Sequence, residues 1–257
     1  MKIYKKKWFK IISVVIASLL LLFGAFFIYT LDYSRPTDTA LAALEDTASV
    51  NVQEEDGLII FSPKGEITGT GFAFYPGGKV DYRAYAPLMA QLADQGITCV
   101  LLKVPFQLAV FDINAANRAM SALPQITRWY VGGHSLGGVM ASSYADANTG
   151  KVEGIVFLAA YPSGDIADSG LRVLSLYGSN DGVLNMDSFQ ASRDKAPQDT
   201  VYLEIPGGNH AGFGSYGVQK GDHAASISPE EQQKETAGAI VLFLTGEDPA
   251  DAIKQTT

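Results

Sequence analysis

Two kinds of hydrophobic pattern alternate along the chain from about residue 49 onward. Short apolar or β-branched runs predict strands, and segments with apolar residues every three or four positions predict helices. The predicted strands are 49–53, 58–62, 71–75, 97–103, 126–131, 155–159, 172–177 and 201–205, and the predicted helices are 82–95, 111–123, one beginning at Leu136, 186–195 and 228–244. Because strand and helix alternate from residue 70 onward, the pattern indicates an α/β fold with a doubly wound, mainly parallel sheet.

The N-terminal segment has a different pattern. Five lysines in the first ten residues precede 21 residues without a charge, 11–31. At 1.5 Å per residue, a helix of this length spans the roughly 30 Å hydrocarbon core of a bilayer. The lysines predict a cytoplasmic N-terminus and an extracytoplasmic domain. We therefore expect a single-pass protein of the cell membrane, with a basic segment (1–10), a transmembrane signal-anchor (11–31), a tether (32–48) and a folded domain (49–257).

A cleaved signal peptide is the alternative for this segment. Signal peptides have an apolar core of about 7–15 residues that ends at a small-x-small site. The apolar run here is longer and ends in the bulky residues 26–29, and the candidate site Ala40-Leu41-Ala42 lies well beyond that end. We therefore expect the segment to be retained.

The charge of the chain limits the possible partners of the domain. The net charge is −8, and the residues after the lysine-rich start carry 14 basic and 27 acidic side chains. Such an acidic domain argues against nucleic acid or anionic lipid as its partner.

The single cysteine, Cys99, lies in an apolar strand and excludes a disulfide within the chain. No Cys/His cluster indicates a zinc site, and we expect neither a metal nor another cofactor.

One motif carries a chemical signature. Gly133-His134-Ser135-Leu136-Gly137 fits G-x-S-x-G, the turn that exposes a nucleophilic serine between a strand and a helix. A predicted strand precedes it and a predicted helix follows it, as the motif requires. The sequence predicts Ser135 as nucleophile and the backbone N–H of Leu136 as an oxyanion donor.

A serine nucleophile needs a base, and the base needs an orienting acid, in the chain order Ser, acid, His. The predicted acid is Asp181, in the turn that follows the strand 172–177. Asp165 and Asp168, in the loop after the preceding strand, remain the alternative acids.

The predicted base is His210, which follows the last predicted strand. His223 lies further along, in a polar loop, and is the alternative. His134 adjoins the nucleophile in the chain and cannot fold back to serve it. The second oxyanion donor is expected in the turn after strand 71–75, where Gly78 is the first choice and Gly77 the second.

These residues resemble the α/β-hydrolases over about residues 49–244, and more narrowly the bacterial α/β-hydrolase-fold-5 family, which is related to dienelactone hydrolases. The motifs that carry the resemblance are Tyr75-Pro76-Gly77-Gly78-Lys79-Val80-Asp81, Gly133-His134-Ser135-Leu136-Gly137-Gly138, Gly178-Ser179-Asn180-Asp181 and the stretch from Asn209 to Gln232. The resemblance implies a Ser135–His210–Asp181 triad. It does not imply a substrate. Pro76 departs from many relatives, in which a histidine precedes the glycine.

The predicted function is a serine hydrolase anchored in the membrane, acting on small ester or lactone substrates. An amidase or peptidase with the same triad, and a hydrolase-like module that only binds, are the alternatives. The short connection 160–171 predicts an open site without a large lid domain. Phe213, Tyr216 and Val218 are candidates for one wall of that site, and the alternative is a loop that packs for stability alone.

Overall fold

The computed structural model describes residues 2–65 and 68–254. It divides into two units, Met1–Tyr33 and Ser34–Thr257. The first unit contains the helix α1 (Lys2–Leu31). Within it, Trp8–Leu31 is long and apolar enough to cross a membrane. Large apolar side chains along this segment, such as Leu21 and Leu22, are exposed.

An eight-stranded sheet forms the centre of the second unit. Its strands are β1 (Val50–Glu55), β2 (Leu58–Pro63), β3 (Thr70–Tyr75), β4 (Thr98–Leu102), β5 (Arg128–His134), β6 (Gly154–Leu158), β7 (Arg172–Gly178) and β8 (Val201–Ile205). They lie in the order β1-β2-β4-β3-β5-β6-β7-β8. Strand β2 is antiparallel to both of its neighbours, and all pairs from β4 to β8 in this order are parallel. The predicted mainly parallel α/β sheet is confirmed.

Helices cover both faces of the sheet. They are α2 (Asp38–Ala42), α3 (Ala86–Asp94), α4 (Ala116–Ala122), α5 (Leu136–Ala147), α6 (Met186–Ala191), α7 (Pro229–Thr245) and α8 (Asp251–Lys254). Along β3, Phe72 and Phe74 join the core beneath α3 and α7, whereas Ala73 and Tyr75 join the core beneath α4 and α5. This alternation buries both faces of the strand, as a doubly wound fold requires.

The helix predicted over 111–123 is shorter than expected. Three successive 3₁₀ turns occupy much of 105–115, and α4 begins only at Ala116. The buried hydroxyl of Tyr75 explains this start. It donates to the carbonyl of Ile113 at 2.6 Å and accepts the N–H of Ala116 at 3.1 Å. A side chain from the sheet thus satisfies backbone groups at the point where the helix begins.

The expected tether also differs from the structure. Ser34 forms a β-bridge with Val80, and the N–H of Thr37 donates to the carbonyl of Ser215 at 2.9 Å. In α2, Ala40 has no exposed surface. The backbone groups of this polar segment form hydrogen bonds with the rest of the domain. Residues 34–44 are therefore part of the folded unit.

We therefore predict different outcomes for two N-terminal deletions. A chain beginning at residue 34 should fold. A chain beginning at residue 49 should lose at least about 2 kcal/mol of unfolding free energy, because several backbone hydrogen bonds and a buried alanine are lost at about 1 kcal/mol each. Urea unfolding followed by circular dichroism measures the difference. Equal midpoints for the two chains would contradict the assignment of 34–44 to the folded unit.

Candidate active site

Ser135 occupies a sharp turn between β5 and α5. Its backbone angles are φ 51° and ψ −123°, a region that costs a non-glycine residue roughly 1–3 kcal/mol. The turn is held by the Ser135 N–H, which donates to Leu158 of β6 at 2.9 Å, and by the Ser135 carbonyl, which accepts from Val139 at 3.2 Å. The side chain does not cap α5, and the residue is partly exposed. The hydroxyl therefore remains available at the carboxyl edge of the sheet.

Two glycines permit this turn. A Cβ at Gly137 would lie 2.3 Å from the carbonyl oxygens of Tyr75 and Pro76. A Cβ at Gly133 would lie 2.5 Å from the carbonyl carbon of Gly137. Backbone cannot move aside as a flexible side chain can, so β5, α5 and the turn after β3 approach this closely only without side chains at both positions.

The predicted acid and base lie together beyond the neighbouring strands β7 and β8. His210 Nδ1 is 2.8 Å from Asp181 Oδ2, and the two side chains are 2% and 1% exposed. The other oxygen of Asp181 accepts the N–H groups of Val183 and Leu184 at 2.8 and 2.7 Å. His210 Nε2 is buried and has no hydrogen-bond partner among the residues that the structure describes.

The environment of Asp181 favours its charged form. Burial raises the pKa of this carboxyl, but the hydrogen bond and charge of His210 and the N–H groups of Leu184 and Val183 lower it, and the net pKa lies below its ordinary value. An ionised Asp181 accepts the Nδ1 proton of His210. When the Nδ1 proton points to Asp181, Nε2 is the acceptor nitrogen of a neutral imidazole.

The alternative residues lack these contacts in the described parts of the chain. Asp165 is exposed and accepts the N–H of Ala167 at 3.1 Å. Asp168 and His223 are also exposed. No hydrogen bond joins any of these three side chains to another histidine or carboxylate within 2–65 and 68–254. Nor do three His, Cys, Asp or Glu side chains converge there as metal ligands would.

The two candidate glycines for the second oxyanion donor differ in their contacts. The N–H of Gly77 donates to the hydroxyl of Tyr85 at 3.0 Å. The N–H of Gly78 has no acceptor among the described residues, and a Cβ at this position would lie 3.0 Å from the side chain of Leu136. Gly78 and Leu136, the preferred pair of donors, are therefore neighbours, whereas the N–H of Gly77 is occupied.

A buried pair, Tyr85 and His134, was not expected from the sequence. The Tyr85 hydroxyl accepts the N–H of Gly77 at 3.0 Å and lies 2.9 Å from His134 Nδ1, within hydrogen-bond distance. The His134 ring lies 4.5 Å from that of His210, centroid to centroid. Periodicity indicates only that Tyr85 lies on the apolar face of a helix, and no sequence signal links it to His134. The pair connects the turn after β3 to His210.

Burial determines the protonation of His134. Burial and the adjacent His210 hold the pKa of His134 well below its usual value, although the backbone of His210 acts in the opposite direction. The ring is therefore neutral in the folded protein.

The expected wall of the site is not formed as predicted. Phe213 has no exposed surface and Tyr216 is 7% exposed, so neither lines an open cleft. Their rings pack near His134, with centroid distances of 5.8 and 6.4 Å. Val218 is 96% exposed. The two aromatic residues instead support the histidine from within the core.

His134 predicts a pH dependence of stability. Below about pH 6.5 the unfolded chain binds a proton at this histidine that the folded chain does not, so the unfolding free energy should fall by about 1.4 kcal/mol per pH unit. His134→Gln should remove this one-proton contribution to the slope. Urea unfolding between pH 5 and 7 tests it, with His223→Gln, a change at an exposed histidine, as the control that should keep the slope. An unchanged slope in His134→Gln would contradict the assignment.

Comparison with known proteins agrees with this architecture. The structure resembles a predicted CIB-like hydrolase from Thermoplasma acidophilum (16% identity, TM-score 0.54, 75% of this chain and 99% of that one). It also resembles Est1E from Butyrivibrio proteoclasticus (15%, 0.53, 78% and 100%) and TT1662 from Thermus thermophilus (14%, 0.56, 77% and 97%). These identities establish the fold alone. A search of curated proteins finds no match.

The family is established by a match to a sequence model. The model of the alpha/beta hydrolase family covers residues 71–234, which is more than half of the chain. The match includes the turn after β3, the elbow serine, the loops after β7 and β8, and the start of α7. This chain belongs to the alpha/beta hydrolase family.

Proposed function

We propose that the protein is a membrane-anchored serine hydrolase that cleaves carboxylic ester or lactone bonds of small substrates outside the cytoplasm. The observation that carries the proposal is the buried His210–Asp181 pair. Its free acceptor, Nε2, lies at the same edge of the sheet as the serine of the elbow. A buried side-chain nitrogen without a partner is uncommon in folded proteins, and a catalytic role is one established reason for it.

In the proposed mechanism, Ser135 Oγ attacks the carbonyl carbon of the substrate. His210 Nε2 takes the serine proton and then passes it to the leaving oxygen. Asp181 remains ionised, orients the ring through Nδ1 and stabilises the imidazolium that forms. The low pKa of Asp181 supports this division of roles, because the carboxylate keeps its charge when His210 gains a proton.

Negative charge develops on the carbonyl oxygen during the attack. The N–H groups of Leu136 and Gly78 are proposed to stabilise it, which fits their adjacent positions and their lack of other acceptors in the described chain. Water then attacks the acyl-enzyme, with His210 as base, and releases the acid and free Ser135.

Two features support the membrane anchor. The helix segment Trp8–Leu31 is long and apolar enough to span a bilayer, and lysines precede it. The positive-inside rule then assigns the N-terminus to the cytoplasm and the hydrolase domain to the exterior. The acidic domain fits a small neutral substrate better than nucleic acid.

We predict that Ser135→Ala abolishes labelling by a fluorophosphonate, because the attacking oxygen is lost. His210→Ala should lower turnover of p-nitrophenyl acetate by several orders of magnitude, because no other base is in place. His223→Ala is the matched control and should retain turnover. Full hydrolysis by Ser135→Ala would exclude a serine hydrolase, and loss of activity in His223→Ala alone would move the base to that position.

A separate set of variants tests the acid. Asp181→Asn should keep the fold yet reduce turnover on the order of 10⁴-fold, as an amide in this position favours the wrong histidine tautomer in serine proteases. Asp165→Asn and Asp168→Asn should remain near the wild type. If Asp165→Asn or Asp168→Asn causes the large loss of turnover while Asp181→Asn stays active, the acid is misassigned.

The anchor predicts the mature N-terminus. Because the apolar run is long and has no small-x-small site at its end, the basic segment should remain on the protein recovered from membranes. Mass spectrometry of the intact chain measures this. A chain that begins near Leu41 or Ala43 in the soluble fraction would contradict retention.

A further inference from the structure

A polar segment outside the proposed triad contacts both loops that carry the acid and the base. We name residues 178–184 the acid loop, 206–213 the base loop and 222–226 the strap. Five hydrogen bonds join the strap to these loops in addition to one bond within it. They are Gly182 N–H to Asp222, Ala211 N–H to Asp222, Asn209 side chain to the His223 carbonyl, Asn180 side chain to the Ala224 carbonyl and Ser226 N–H to the Gly207 carbonyl, at 2.9, 2.8, 2.7, 3.1 and 2.8 Å.

Asp222 differs from the rest of the strap because its carboxylate contacts both loops at once. Oδ1 accepts the N–H of Gly182, the residue after Asp181. Oδ2 accepts the N–H of Ala211, the residue after His210. A carboxylate is planar and rigid, and its hydrogen bonds from backbone N–H groups are charge-assisted. Two hydrogen bonds also join the loops directly, from the Asn180 N–H to the Gly208 carbonyl and from the Gly207 N–H to Ser179 Oγ, each at 2.8 Å. These involve residues before Asp181 and His210, whereas Asp222 joins the loops at the residues that follow them.

The base loop has an independent support from α7. The side chain of Gln232 accepts the N–H of Asn209 at 2.9 Å and donates to the carbonyl of the same residue at 2.7 Å. Gln232 has no exposed surface. This paired contact keeps the base loop on the helix whether or not Asp222 is present. A change at Asp222 should therefore shift the part of the acid loop that follows Asp181 relative to Ala211, without unfolding either loop.

We propose that Asp222 is a positioning residue that holds Asp181 against His210. The proposal rests on the proposed function for its kinetic consequence, but its structural consequence is independent of any substrate. An asparagine at this position would keep one acceptor oxygen and replace the other by an NH₂ group, which faces a backbone N–H donor. The remaining oxygen would keep its hydrogen bond to one loop, and the NH₂ group would repel the backbone N–H of the other loop.

The experiment compares Asp222→Asn with Asp46→Asn in the full chain in detergent micelles. Asp46 is a matched control because its carboxylate also accepts a backbone hydrogen bond, from the N–H of Val52 at 2.8 Å. It lies far along the chain from the site. The readouts are kcat and KM for p-nitrophenyl acetate, the midpoint of thermal unfolding, and the downfield proton NMR signal of the His210 Nδ1–H, assigned by its loss in His210→Ala.

Asp222→Asn should lower kcat roughly 10- to 100-fold, with KM within about twofold of the wild type, because the proton acceptor is misplaced rather than the substrate site. It should also shift or broaden the His210 signal, and Asp46→Asn should change neither. An unchanged signal and kcat in Asp222→Asn would overturn the proposal. So would an equal loss of kcat in both variants, which would indicate a general effect of destabilisation.

The same experiment separates the two proposals. If the wild type cleaves no ester and takes no fluorophosphonate, the proposed function fails, and the NMR signal alone still decides the role of Asp222. If Asp222→Asn does not fold, Asp222→Ser replaces it, because a hydroxyl accepts one N–H and brings no opposing NH₂ group. The same outcomes then support or overturn the proposal.

Discussion

The close approach of β5, α5 and the turn after β3 is the constraint on which the rest of the site depends. Gly137 lies against the carbonyl oxygens of Tyr75 and Pro76, with no room for a Cβ. The contact forces Ser135 into a strained conformation and places the turn that contains Gly78 beside Leu136. One packing contact between backbones therefore sets both the exposure of the serine hydroxyl and the position of the proposed oxyanion donors.

Distance across the sheet explains why the other half of the site needs so many polar contacts. Strands are about 4.8 Å apart, so β7 and β8 lie roughly 10 and 14 Å from β5. The ring of His210 nevertheless lies 4.5 Å from that of His134, at the end of β5. The loops after β7 and β8 must therefore extend across the carboxyl end of β6 toward β5. The backbone N–H groups of a loop have no partners on a neighbouring strand. The side chains of Asp222, Gln232 and Asp181 supply acceptors for them instead.

The sequence was sufficient for the fold, and it indicated which loops carry the candidate acid and base. Strand and helix periodicity predicted the parallel sheet, and chain order singled out His210 and Asp181, which the structure brings to 2.8 Å. Contacts that depend on loop conformation were not predictable. The hydroxyl of Tyr75 displaces the start of α4, and the burial of Ala40 joins a polar segment to the domain. Periodicity reports which face is apolar, but not which backbone group a side chain reaches.

The contact of Gln232 with Asn209 has a consequence for the order of events during synthesis. The candidate site draws on backbone from the turn after β3 through to the first turns of α7, whose start is fixed by the capping box at Ser228. A nascent chain that has released Ser135, Asp181 and His210 still lacks the helix that contacts the loop after β8. Assembly of the candidate site therefore waits for almost the whole polypeptide, long after α1 has left the ribosome.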